Sequence, residues 1–363
     1  MALIKAQFEA GIDKQTTTYG AKGRWIDSKN VRFRTGLPEK IGGWSKVVTP
    51  ETRLCGVVRA TTAWVSLTGV RHLALGTDRK LYVYVEGRFY DITPIRLEAA
   101  LTNPFTTNGT TTVTVTHSSH GAAQGDFVTF DSFSAIDGLD MNNEFEVTEV
   151  IDGNSYKITH TSAASGSTSG GGGSGNAKYQ ITTGTNKASF GFGWGTGAWS
   201  DGTWNTPRTT SSIQLEASYW VFDTFGEDLL AIRNDDALYR WDLSGGTGTR
   251  AVKVSAAPGT NRFLLVSSPD RHVFLMGTET TIGSSGTQDD LFLRFSSQED
   301  FNTWAPASTN TAGSFRIQDG SKIVAAQRSR GSILVWTDTA LHALNNIGPP
   351  FIFGLNQIGA NCG

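Results

Sequence analysis

Nucleophilic, metal and phosphate chemistry each require particular residue types at particular spacings. Six histidines are present: His72, His117, His120, His160, His272 and His342. His117 and His120 lie three apart after a strand-like run, with His160 further along. Such a pair could start a zinc site, but zinc takes a fourth ligand and no cysteine is near. His-x-x-His in a Ser-rich turn reads instead as a polar connection. Cys55 and Cys362 give no disulfide framework and no metal spacing. They read as free buried thiols of a protein made in the cytosol. No Gly-x-Ser-x-Gly elbow is present. No phosphate-binding Gly-rich loop ending in Lys-Ser or Lys-Thr is present either. The run Gly170–Gly173 precedes no helical pattern, so it cannot offer a helix N-terminus to a phosphate. The expectation is a chain with no catalytic residue, no metal and no cofactor.

Aromatic and basic clusters point to contacts instead. From Phe190 to Trp204 glycine alternates with large rings, including Trp194, Trp199 and Trp204. This reads either as a surface loop or as a contact loop for a neighbouring subunit, tryptophan being a preferred interface anchor. The same rings could grip sugars, which makes a carbohydrate-binding or host-recognition module the alternative function. Lys22, Arg24, Lys29, Arg32, Arg34 and Lys40 cluster near the start, interrupted by Asp27 and Glu39. They form a solvated arm or a contact for an acidic partner or DNA phosphates. Two segments, Ser200–Trp204 and Ser297–Trp304, resemble the Asp-box turn of sialidase-like propellers. That turn is structural. Glycosidase chemistry needs a facing carboxylate pair, so a propeller hydrolase is the weakest reading.

The elements that must carry these residues are strands. The chain has 363 residues, with Lys plus Arg at 31 and Asp plus Glu at 33, a net charge of −2 that argues against tight nucleic-acid binding. Aromatics reach 10%, with ten Trp, which excludes wholesale disorder. The 42 glycines fit many tight turns and short strands. No apolar run is long enough to span a membrane, and the first residues lack a signal-peptide pattern. Only short stretches such as Ile95–Ala100 could turn helically.

An apolar strand, a polar turn and an alternating aromatic strand recur at Leu73–Tyr84, Leu230–Trp241 and Ile333–Leu344. A looser copy runs from Arg271–Met276 to Asp290–Phe295. Repeated antiparallel units of this kind predict β-propeller-like blades, with two stacked sandwiches as the other option. The first strand of each unit, nearly all apolar, is expected to be the inner one. The predicted class is all-β: blades with an inserted small β-barrel-like module and an extended N-terminal arm. The divisions are 1–53 for the arm, 54–100 for the first blade, 101–180 for the inserted module and 181–363 for further blades. The module's exit, Ala163–Asn176, reads as a flexible Gly/Ser linker. The module is expected to project outward and be dispensable for assembly.

The opening residues carry a resemblance. Gly11-Ile12-Asp13, then the run from Gly23-Arg24-Trp25 through Arg32-Phe33-Arg34, then Gly36–Trp44, resemble the start of bacteriophage tail hub or nozzle proteins, the packaged-DNA stabilisation proteins of short-tailed phages. Ala340–Leu344 followed by Phe353–Gly363 is similar to that family's mid-propeller segment. The resemblance implies a virion tail protein, assembled in the host cytoplasm as a homohexameric ring below the head–tail adaptor. Such a ring contacts other tail proteins and lets double-stranded DNA pass. Family chains continue past the segment matching Asn361-Cys362-Gly363, which makes this chain a fragment or a smaller relative. The candidate assembly contacts are Arg24, Trp25, Arg32, Arg34, Trp44, Trp194, Trp199 and Trp204.

Overall fold

The computed structural model describes residues 9–43, 54–182, 216–268 and 270–362. It divides into two units, Met1–Arg53 and Leu54–Gly363. In the first unit, β1 (Val31–Arg34) and β2 (Leu37–Lys40) form an antiparallel hairpin. Thr35 and Gly36 between them both have positive φ, 49° and 84°, as a type I′ turn requires. Alternation half-buries Val31 and Phe33 and exposes Arg32 and Arg34.

The second unit is all-β and blade-like. Blade 1 is β3 (Val58–Val65), β4 (Arg71–Thr77), β5 (Leu81–Val85) and β6 (Arg88–Asp91). A module follows: β7 (Ile95–Thr102), β8 (Phe105–Thr106), β9 (Thr112–Thr116), β10 (Phe127–Asp131), β11 (Glu144–Asp152), β12 (Ser155–Thr159) and β13 (Ser174–Gln180). Blade 2 is β14 (Trp220–Phe225), β15 (Asp228–Arg233), β16 (Leu238–Trp241) and β17 (Val252–Lys253). Blade 3 is β18 (Phe263–Val266), β19 (Val273–Glu279), β20 (Gln288–Phe295) and β21 (Gly313–Arg316). Blade 4 is β22 (Ile323–Ser329), β23 (Ser332–Thr337), β24 (Ala340–Gly348) and β25 (Ile352–Ala360). Every blade is a four-stranded antiparallel meander in chain order. Their first strands adjoin in sequence: β14 packs beside β3 and β18, and β18 beside β22.

The apolar strands of the repeat are therefore the second strands, not the innermost ones. β4, β15, β19 and β23 sit mid-sheet, with successive side chains serving opposite faces. Leu229 and Ala231 of β15 pack toward blade 1, in a core with Ala74, Leu81 and Val83. Leu230 and Ile232 pack toward blade 3, against Leu264, Val266, Val273 and Leu275. Phe274 and Met276 of β19 then face Ile333 and Val335 of β23. Each internal interface is thus one odd row meeting one even row.

A turn motif repeats with the blades. Thr77 Oγ1 accepts from Lys80 N at 2.7 Å, and Thr337 Oγ1 accepts from Ala340 N at 3.0 Å. The next residue latches the entry to the blade's first strand. Asp78 Oδ1 accepts from Val57 N at 2.6 Å, and Asp338 Oδ1 from Ser321 N at 2.7 Å. The residue before each donor is a glycine with positive φ, Gly56 at 87° and Gly320 at 100°. A Cβ on either would collide with the aspartate it serves.

The module is one seven-stranded curled sheet in the order β7-β13-β10-β11-β12-β9-β8. Its alternating Thr-Val-Thr-Val-Thr strand β9 buries Val113 and Val115 with Phe105, Phe130, Tyr156 and Ile158. Its first and last strands pair antiparallel from Ile95↔Gln180 to Thr102↔Ser174. Ile95–Ala100 is thus extended rather than helical, because β13 supplies a backbone partner that outweighs helix propensity. The Gly/Ser exit is not a free linker either. Phe105 and Gly171 exchange backbone hydrogen bonds at 3.2 and 2.8 Å. Gly172 has φ +98°, and a Cβ there would lie 2.5 Å from the Phe105 ring.

Candidate functional site

Of the residues read as assembly contacts, Arg24, Trp25, Arg32 and Arg34 lie in the described N-terminal unit. Trp44, Trp194, Trp199 and Trp204 lie outside the described residues. Asp13 organises the local loop by accepting the backbone N–H of Gln15 and Thr16 at 3.1 and 3.2 Å. Those bonds hold its carboxyl below the usual carboxylate range. Arg24 bridges Asp13 at 3.2 Å and Glu9 at 2.8 Å. Asp13 N donates to Trp25 O at 2.8 Å, and the Trp25 ring lies 6.4 Å from that of Phe33. Arg32 is directly opposite Glu39 in the hairpin and pairs with it at 3.1 Å. Arg34, two residues along the same face, is exposed.

The structure therefore brings Arg24 and Trp25 into one loop cluster and sets Arg32 and Arg34 on one strand face. Two of these three arginines are neutralised within the unit. A grip on phosphates needs unspent cations, so the cluster is poorly suited to hold DNA.

The histidines are spent on loop geometry. His120 Nδ1 accepts from Ala122 N at 3.0 Å, and its Nε2 lies 2.9 Å from Asp152 O. His160 bonds Ser162 N and Asp140 O in the same way, at 3.0 and 3.2 Å. His117 Nδ1 lies 2.8 Å from the Tyr179 hydroxyl, which in turn meets the Tyr156 hydroxyl at 2.9 Å. Burial pushes the His117 imidazole below its ordinary pKa, with His120 and Arg96 adding to the effect. Among the described residues no group of three His, Cys, Asp or Glu side chains is placed to hold a metal ion. No helix among them is long and apolar enough to cross a membrane.

The turn Ser297–Trp304 is built as a structural element. Asp300 accepts from Asn302 N at 2.7 Å and from the Thr303 hydroxyl at 2.6 Å. Trp304, 1% exposed, donates Nε1–H to Phe301 O at 2.7 Å and fills the core between blades 2 and 3.

One polar cluster escaped the sequence reading. Lys80, 4% exposed, lies 2.8 Å from Asp91 Oδ2 and also pairs with Glu144 of the module. Arg250 of blade 2 reaches Asp91 at 3.0 Å and Glu144 at 3.8 Å. Gln180 Nε2 donates to Glu144 at 2.5 Å. Burial alone would raise the Asp91 pKa, but the charges of Lys80 and Arg250 outweigh it and hold the carboxyl below its usual range. Beside this cluster Arg79 pairs with Glu146 at 2.8 Å and donates to Gly125 O at 2.7 Å. The Phe127 ring lies 4.4 Å from Lys80 Nζ. Two cations and two anions thus join the module to blades 1 and 2. One signal was readable: Arg79-Lys80 stands where the other repeats carry Asp236-Ala237 and Thr339-Ala340.

No family model matches the chain, and no curated protein matches it. Among solved structures it is similar to a phage phi92 endosialidase, at 12% identity and a TM-score of 0.26. The match covers 90% of this chain and 51% of that one, so the chain spans about half the length of the endosialidase. A likeness at this level assigns neither fold nor activity.

Proposed function

We propose that the chain is a structural subunit of a bacteriophage tail, a hub or nozzle protein that works by assembly rather than by catalysis. In this reading it forms a ring beneath the head–tail adaptor, walls the DNA passage and helps retain the packaged genome. The observation that carries it is the N-terminal pattern from Gly23 to Trp44, with its resemblance to that family. Four consecutive blades with continuous cores between them support it, because stacked sheets make a stiff wall. The internal pairing of Arg24 and Arg32 also fits, since a duct that passes DNA must not hold its phosphates.

Quantitative peptide mass spectrometry on purified phage particles tests the proposal. A fixed copy number, half that of the portal protein, is the expected result. Absence of the chain from particles overturns it, and binding on a glycan array would then favour a carbohydrate-binding module.

A further inference from the structure

The four blades leave two sheet faces that no described blade covers. On blade 4, Ile333 and Val335 of β23 face blade 3, so the alternate row, Leu334 and Trp336, faces away. Leu341 of β24 is paired with Trp336 and shares that face. On blade 1, Ala74 and Val83 face blade 2, so Leu73 of β4 and its partner Tyr84 of β5 face away. Phe89 of β6 pairs with Tyr84, and their rings lie 4.7 Å apart. All six side chains are half-buried, and none is charged.

A sheet face meant for water carries polar residues in the alternate row. These two rows are apolar and aromatic instead. Their positions also match rows that are covered inside the molecule. Leu334 and Trp336 stand where blade 2 has Leu230 and Ile232 and blade 3 has Phe274 and Met276, the rows that meet a following blade. Leu73 stands in the row of Leu229, Val273 and Ile333, which meets a preceding blade. The internal interfaces show three times over how one row receives the other.

We infer that a second copy of this chain docks the blade 1 face of one protomer on the blade 4 face of the next, repeating the blade-to-blade packing between molecules. The contact is head-to-tail, and it closes into a ring when the rotation per step allows. It rests on the assembly reading above and names the surface through which that assembly forms.

Sedimentation velocity on the 363-residue chain over a range of concentrations tests it, with Trp336→Glu on blade 4 and Phe89→Glu on blade 1. The wild-type chain should self-associate. Each variant alone should associate about a hundredfold more weakly, the order expected for a carboxylate left unpaired in an apolar contact. Mixed together, the two variants should give a one-to-one heterodimer and nothing larger, because each retains the face that the other lacks. Melting curves check folding, and Trp336→Gln with Phe89→Gln replace any variant that fails to fold. A wild-type chain that stays monomeric overturns both the contact and the ring. A wild-type oligomer that both variants reproduce overturns only the contact, and points to other surfaces within the ring.

Discussion

Asp78 and Asp338 do the same work in the first and fourth blades. Each carboxylate accepts the backbone N–H at the mouth of its blade's first strand, Val57 at 2.6 Å and Ser321 at 2.7 Å. Each thereby ties the turn between strands two and three to the start of strand one. The Ser321 hydroxyl, followed by its backbone N–H, holds the Asp338 carboxyl below its ordinary pKa of 3.8. A depressed carboxyl contributes stability above its unfolded pKa and loses it as pH falls through the folded value. The difference in melting temperature between wild type and Asp338→Ala should be full at neutral pH and vanish in strong acid. Calorimetry across that range measures it, and a difference independent of pH would discard the latch.

Lys80 is the buried keystone of the junction between blade 1 and the module. Lys80→Met leaves Asp91 and Glu144 with Arg250 alone, and removing one partner of a buried pair costs about 3–5 kcal/mol. Lys80→Met with Glu144→Leu should recover part of that loss, because the second change removes an uncompensated charge. A double-mutant cycle by urea unfolding reads the coupling. Independent, additive effects would show that the cluster is decoration.

Gly172 and Gly170 both have positive φ, 98° and 69°, but their surroundings differ. A Cβ at Gly172 meets the Phe105 ring at 2.5 Å, whereas at Gly170 the nearest atom is 3.7 Å away. Gly170→Ala should cost about 1 kcal/mol of backbone strain. Gly172→Ala should cost clearly more and speed hydrogen exchange at Phe105 and Val115. Equal costs would mean that the Phe105 ring gives way freely.

Trp304 closes the core between blades 2 and 3. Trp304→Ala should destabilise by about 3–5 kcal/mol. Trp304→Phe should cost less, losing mainly the bond to Phe301 O. Thermal unfolding checks both, and a loss below about 1 kcal/mol for the alanine variant would place Trp304 in a site that collapses easily.

The blades were legible because their middle strands are forced to alternate. Leu229 and Leu230 answer to different neighbours, and so do Ile333 and Leu334, so the repeat is written into every copy. The strand at Ile95–Thr102 was harder to read. Ala, Leu, Glu and Arg favour helix locally, and the extended form depends on β13, far along the chain. The Gly-rich exit was misread for a related reason. Composition reports that Gly172 lacks a side chain, not that Phe105 occupies the space. Of the contact residues, Arg32 was placed on an outward strand face, but its partner Glu39 was legible only as an interruption of the basic run. The Lys80 cluster unites four charges from three elements, which no local window contains.

The pairing of Ile95 with Gln180 also bears on how the chain folds. Once β7 and β13 have zipped, the two ends of the module are neighbours, and the strands between them no longer lengthen the path from blade 1 to blade 2. Loop closure costs about 0.6 kcal/mol per doubling of length. An insertion that brings its own ends together adds almost none of that cost to its host. The module can therefore fold on its own timescale while blade 1 finds blade 2.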